Sequence, residues 1–320
     1  MIKILKFITK ILFVLILILL AINIYSKIFI EKNENKIIGK INYSEINNNS
    51  SSTILFVGGL SGWSSTWYRS INTLQSNLRL ESLDKNYNYI AIDLPPFGYS
   101  LPNEENYFRD TQAKIINEFI EIKKLDNIIF VMHSYGAGPG MEAIMKNKEK
   151  FKKVIVIDGV LNIDESKKVS DSIFLNKFLV SNILHVVSSF DWIVINRLKS
   201  FVYVKDNINI ELAKLYSKPF EIEGNSEKLA SWLIDYIKDP LNYVSNKSEN
   251  YKKLNISVSI IWGDKDTLTP IDLARKLYES LDNENGNIKN NLHILDNVGH
   301  IPMIEDYKKF DEALLKAIKE

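Results

Sequence analysis

From its N-terminus the chain passes through three regimes of hydrophobic patterning. An unbroken apolar run from Ile11 to Ile22 follows Lys3, Lys6 and Lys10, and continues more weakly through Ile24 and Ile28-Phe29-Ile30. Twenty residues from Ile11 to Ile30 span roughly 30 Å as a helix, enough to cross a hydrocarbon core. A cleavable signal peptide has a similar profile, but no A-x-A site follows, and Ile28-Phe29-Ile30 argues for continued burial. Residues 1–30 are therefore expected to form an uncleaved single-pass anchor. The lysines ahead of the run favour a cytoplasmic N-terminus and an extracytoplasmic domain, although Lys27, Lys32 and Lys36 weaken the asymmetry. Residues 31–51 are polar and asparagine-rich and read as a stalk, within which Ile37-Ile38-Gly39-Lys40-Ile41 alternates like a short edge strand.

The second regime begins near residue 52. Thr53–Val57, Tyr89–Asp93, Ile128–His133, Val154–Asp158, Val258–Trp262 and Leu292–Asp296 are short apolar runs bounded by turn residues. Amphipathic stretches lie between them: Trp67, Ile71, Leu74 and Leu78 share one helical face, as do Ile115, Phe119 and Ile122, and Phe310, Leu314 and Ala317. Buried strands alternating with helices predict an α/β fold, a mostly parallel central sheet with helices on both faces, built from 52–160 and 251–320.

The third regime interrupts the second. Residues 161–250 contain no buried-strand pattern; Ile173-Phe174-Leu175, Phe178-Leu179-Val180, Ile183-Leu184 and Val186-Val187 recur at helical spacing, followed by Trp192, Trp232, Leu233 and Tyr236. This segment is predicted to be an inserted helical cap at the carboxyl edge of the sheet, where open α/β folds bind ligands.

Composition narrows the chemistry. Hydrophobic residues at 46% and charged residues at 25% are the balance of a globular chain, and a net charge of +1 with interspersed signs gives no case for nucleic-acid binding. Cysteine is absent, which excludes disulfides, thiolate metal sites and a cysteine nucleophile. There is no H-E-x-x-H, no complete P-loop and no G-x-G-x-x-G. No metal, cofactor or protein partner is therefore expected.

Three turns at strand ends carry the candidate chemistry. Ser134 follows the strand ending at His133 and precedes a helix, with Gly136 two residues on; Met132 stands where the G-x-S-x-G pattern has glycine, and Pro139 falls early in the helix. Asp266 follows Trp262-Gly263; its Gly-x-x-Asp spacing and Pro270 favour it over Asp264, with Asp158 a third candidate. His300 lies in a Gly-His turn after the last strand, whereas His133 is placed behind the Ser134 turn, His293 within a strand and His185 in the cap. A serine needs an imidazole to take its proton and a carboxylate to orient that imidazole. The glycine-rich loop Gly58-Gly59-Leu60-Ser61-Gly62 lets backbone amides approach a ligand, and the amides of Leu60 and Tyr135 are the expected oxyanion donors.

Gly58-Gly59-Leu60, Asp93-Leu94-Pro95-Pro96-Phe97-Gly98-Tyr99-Ser100, His133-Ser134-Tyr135-Gly136, Gly263-Asp264-Lys265-Asp266 and Gly299-His300-Ile301-Pro302 together resemble the α/β-hydrolase superfamily with a helical cap, from about Ser52 to the C-terminus. The resemblance implies Ser134 as nucleophile, Asp266 as orienting acid and His300 as base, with Asp93 and Gly98 shaping a loop. The family often has His-Gly where this chain has Gly58-Gly59. The expected activity is that of a membrane-anchored serine hydrolase cleaving a carboxylic ester of a small, lipophilic or acyl substrate. Two alternatives remain: a cap-bearing aminopeptidase or carbon–carbon bond hydrolase with the same triad, and a catalytically inactive binding protein.

Overall fold

The computed structural model describes residues 36–83, 86–165, 176–281 and 288–320. The expected anchor, residues 1–30, lies outside them. Among the described residues no single helix is long and apolar enough to cross a membrane.

Eight strands form one sheet: β1 (Ile37–Ile38), β2 (Ile41–Ile46), β3 (Thr53–Val57), β4 (Asn88–Asp93), β5 (Ile128–His133), β6 (Phe151–Ile157), β7 (Ser257–Gly263) and β8 (Asn291–Leu295). Their order across the sheet is β1-β2-β4-β3-β5-β6-β7-β8. Pairings from β4 to β8 are parallel, and only β1–β2 and β2–β4 are antiparallel. The central strands are buried on both faces, and the two-residue period divides them between two cores. Leu55, Val57, Phe130 and Met132 face one core, with Ile116, Phe119 and Ile144. Ile54, Phe56, Ile129 and Val131 face the other, with Trp67, Leu74, Phe310 and Leu314.

The core helices are α1 (Tyr68–Leu80), α2 (Arg109–Ile122), α3 (Ala137–Lys146), then α8 (Ser248–Tyr251), α9 (Ile271–Ser280), α10 (Pro302–Glu305) and α11 (Tyr307–Lys319), with the cap helices α4 (Lys177–Ser188), α5 (Asp191–Phe201), α6 (Ile210–Ser217) and α7 (Asn225–Lys238) between β6 and β7. Helix α4 packs on α7, and α5 on α6. Cross-bonds fasten the cap to the core: Trp63 Nε1 donates to the Leu215 carbonyl (2.9 Å), Asn225 Nδ2 to that of Gly98 (2.9 Å) and Lys228 Nζ to that of Ser100 (2.9 Å).

Two expectations need correction. The segment read as a stalk with a short edge strand at 37–41 is a hairpin instead of a single strand, turning at Gly39 (φ +59°), and β2, which runs on to Ile46, pairs along its whole length except Ile41 with β4. Asn42 secures that strand, donating from its side chain to Asp93 Oδ2 (2.8 Å) and from its amide to Ser100 Oγ (2.7 Å). Ile122 is 58% exposed, not part of a buried face. The inward stripe of α2 is Ile115, Ile116, Phe119 and Ile120, and the last residue of the helix rotates away from it.

Candidate active site

Ser134 sits at the apex between β5 and α3 with φ +50°, a left-handed conformation that costs a side-chain-bearing residue roughly 1 kcal/mol or more. Its surroundings fix that geometry. The Ser134 carbonyl accepts the Val160 amide at 2.9 Å. A Cβ on Gly136 would lie 2.4 Å from the Gly58 carbonyl oxygen, and one on Gly59 would lie 2.6 Å from Ser134 Cβ. Only glycine at both positions allows the 58–62 loop to press against the serine turn. Met132 is fully buried beneath that turn, and a Cβ on Gly140 would fall 2.2 Å from its Sδ. The absent side chain at Gly140 therefore provides the room that Met132 occupies. Pro139 is the third residue of α3, where the missing amide hydrogen costs no intrahelical bond.

Ser134, Asp266 and His300 converge. Ser134 Oγ lies 2.8 Å from His300 Nε2, and His300 Nδ1 lies 2.7 Å from Asp266 Oδ2. All three side chains are buried. Asp266 Oδ1 accepts the amides of Leu268 (2.8 Å) and Thr269 (3.0 Å), and Oδ2 also accepts Thr269 Oγ1–H at 2.5 Å. Burial pushes the Asp266 carboxyl upward, but the hydrogen bond and charge of His300 and the Thr269 donors outweigh it, and its pKa is held below the ordinary value.

The other candidates have different places. Asp158, at the end of β6, is fully buried; its Oδ1 accepts the Gly263 amide at 2.9 Å, and its Oδ2 has no hydrogen-bond partner among the described residues. Burial and the neighbouring Asp266 charge raise its pKa well above the usual carboxylate range. Asp264 faces outward and pairs with Lys265 at 2.7 Å. His293 pairs with Glu320, and His185 lies beside Ser226 in the cap. His133 Nε2 donates to the His300 carbonyl at 2.9 Å, and burial followed by the His300 charge lowers its pKa to about 3, so it stays neutral.

Two residues missed in the sequence complete the frame. Thr269 Oγ1 also lies 3.2 Å from His300 Nδ1. Glu305, buried in α10, accepts the Gly299 amide (2.8 Å) on one oxygen and the Tyr203 (2.7 Å) and Val204 (2.6 Å) amides on the other. With the His300 amide donating to the Phe201 carbonyl at 2.9 Å, this ties the histidine loop to the cap.

The triad opens on a cavity of about 250 Å3. Leu60 and Tyr135 line it at the serine, Phe201, Tyr216, Trp232 and Tyr236 from the cap, and Ile301 and Met303 beyond His300. Tyr135 and Trp232 meet edge to face at 5.1 Å, and Trp232 stacks on Tyr236 at 5.2 Å. Among the described residues no group of three or more His, Asp or Glu side chains could hold a metal ion.

Residues 52–191 match the family model for the alpha/beta hydrolase fold. Together with the sheet order and the solved structures it resembles, this gives the chain the α/β-hydrolase fold. It is 25% identical over 240 residues to the uncharacterized hydrolase YugF of Bacillus subtilis (73% of this chain, 81% of that protein). It is 23% identical over 288 residues to Lipase 3 of Moraxella sp. (87% of this chain, 82% of that protein). Among solved structures the chain is similar to the meta-cleavage product hydrolase CumD of Pseudomonas fluorescens IP01, at 19% identity with a TM-score of 0.66 over 87% of this chain and 94% of that one.

Proposed function

We propose that this protein is an α/β-hydrolase, a serine hydrolase that cleaves carboxylic esters of lipophilic or acyl substrates through an acyl-enzyme. The observation that carries the reading is the unbroken hydrogen-bonded line Ser134–His300–Asp266, with its serine end in a largely apolar cavity. His300 Nε2 takes the Ser134 proton as Oγ attacks the acyl carbon, and Asp266 stabilises the imidazolium that forms. The amides of Leu60 and Tyr135 receive the tetrahedral oxyanion, each worth about 3 kcal/mol in the transition state. His300 then protonates the departing alcohol, and a water activated by His300 releases the acid. The aromatic wall, with Tyr216 and Trp232 buried, favours hydrocarbon over polar chains.

Met132 stands where the G-x-S-x-G pattern has glycine, and the space over Gly140 that its side chain fills supports a functional serine turn over an inactive binding protein. The aminopeptidase and carbon–carbon hydrolase readings use the same triad and differ in the bond presented to it. A panel of p-nitrophenyl esters, amino-acid naphthylamides and vinylogous ketones separates them. Ester turnover rising with acyl length and lost in Ser134→Ala supports the proposal; turnover of only naphthylamides or ketones overturns it.

We also propose that residues 1–30 anchor the enzyme in a membrane with its catalytic domain on the extracytoplasmic side. Support is the lysine-flanked apolar run. The full chain should remain with membranes after high-salt washing and be accessible to protease in spheroplasts; release by salt would contradict the anchor.

A further inference from the structure

A second, smaller cavity of about 60 Å3 adjoins the catalytic one. Leu60, Phe201, Tyr216 and Ile301 line both, so these four side chains form their common wall. The far side of the second cavity is built from α4 and α5, largely from Leu184, Val187, Val194 and Leu198. One cation breaks this apolar lining. Arg197 lies one helical turn before Phe201 on α5, and its guanidinium sits 6.0 Å from the centre of the Phe201 ring. Burial lowers its pKa, and no charged partner among the described residues offsets that effect.

A half-buried guanidinium with apolar neighbours and no carboxylate partner among the described residues lacks a counter-charge, and its five donors match the paired oxygens of a carboxylate or phosphate. Other guanidinium groups here are satisfied: Arg69 pairs with Asp311, Arg275 with Asp272, and Arg109 donates to Leu161, Asn162 and Ser245. Arg197 differs in facing a cavity.

We propose that Arg197 is a specificity-determining residue that binds an oxyanion, a carboxylate or phosphate monoester, carried by the substrate at the far end of its apolar chain. The inference rests on the ester-hydrolase reading and refines it. The scissile carbonyl would lie at Ser134, the hydrocarbon along Leu60, Phe201, Tyr216 and Ile301, which line both cavities, and the anion at Arg197 in the second cavity. The preferred substrates are then esters of acyl chains ending in an anionic group rather than in methyl.

The test compares p-nitrophenyl esters in three matched series, with acyl chains of increasing length ending in methyl, carboxylate or phosphate. At one chain length the wild-type enzyme should favour an anionic ester over its methyl counterpart by on the order of 10- to 100-fold in kcat/KM. Arg197→Met should collapse that ratio toward one, and Arg197→Lys should retain part of it. The carboxylate and phosphate series show which oxyanion fits. A wild-type preference for methyl at every length, or a ratio unchanged in Arg197→Met, overturns the proposal. Calorimetry on full-length Ser134→Ala with the favoured anionic acid separates the two layers of the argument. Binding lost on adding Arg197→Met supports the subsite even if no ester is turned over, and binding indifferent to Arg197 refutes it even in an active esterase.

Discussion

Met132 and Gly140 are two halves of one packing solution: the thioether on β5 fills the space that a side chain on α3 would need. Alanine at a helical glycine ordinarily stabilises by about 0.5–1 kcal/mol. Here the Cβ meets a fully buried sulfur, and overpacking typically costs about 1–3 kcal/mol. Gly140→Ala should therefore lower the melting temperature. In a Met132→Ala background the same substitution should raise it, and thermal denaturation of the four proteins of this cycle measures the reversal. Independent, additive effects would show that the two residues do not share that space.

Gly59 makes a different kind of demand. Its missing Cβ would stand 3.0 Å from Ser134 Oγ, so Gly59→Ala must move either the serine or the loop carrying the Leu60 amide. Displacement of that order costs about 100-fold in rate. We expect kcat to fall by about that factor while KM changes less, in steady-state assays with a p-nitrophenyl ester.

Asp158 predicts a pH signature. Its folded-state pKa is raised, so folding holds a proton that the unfolded chain releases above the ordinary carboxylate pKa. The stability it contributes is complete below that pKa and is lost as pH rises toward the folded value, by about 1.4 kcal/mol per unit. Asp158→Asn keeps an oxygen for the Gly263 amide and removes this dependence. Its melting temperature should gain on the wild type as pH rises from 4 to 8; parallel curves would mean that Asp158 is already ionised.

Glu305 gathers three backbone amides from two parts of the chain. Glu305→Ala leaves them without their acceptor in a buried setting, at a cost of about 1–3 kcal/mol for each group left unpaired. Chemical denaturation should show a large loss of stability, and limited proteolysis should cut first in the 201–204 segment freed from the histidine loop.

The convergence of Ser134, Asp266 and His300 was legible because each follows an apolar run that reads as a parallel strand, and such runs bring their ends to one edge. Thr269 and Glu305 were not legible: a threonine before a proline and a glutamate closing a one-turn helix acquire meaning only when His300 and residues 201–204 arrive beside them. Strand β2 was hidden because INYSEI is half polar, as suits an antiparallel strand near the sheet edge, and asparagines follow it. The Met132–Gly140 exchange was visible only as two unrelated oddities, since strand and helix positions eight residues apart have no contact rule in sequence. Ile122 misled because periodicity does not reveal where the packing partner ends.

The most direct test of the central claim is covalent labelling of the full-length, detergent-solubilised enzyme with a fluorophosphonate, read by peptide mass spectrometry. Stoichiometric modification at Ser134, abolished in Ser134→Ala and slowed by at least about 100-fold in His300→Ala, is the predicted result. An unlabelled Ser134 in the folded protein, or labelling indifferent to His300, would contradict it.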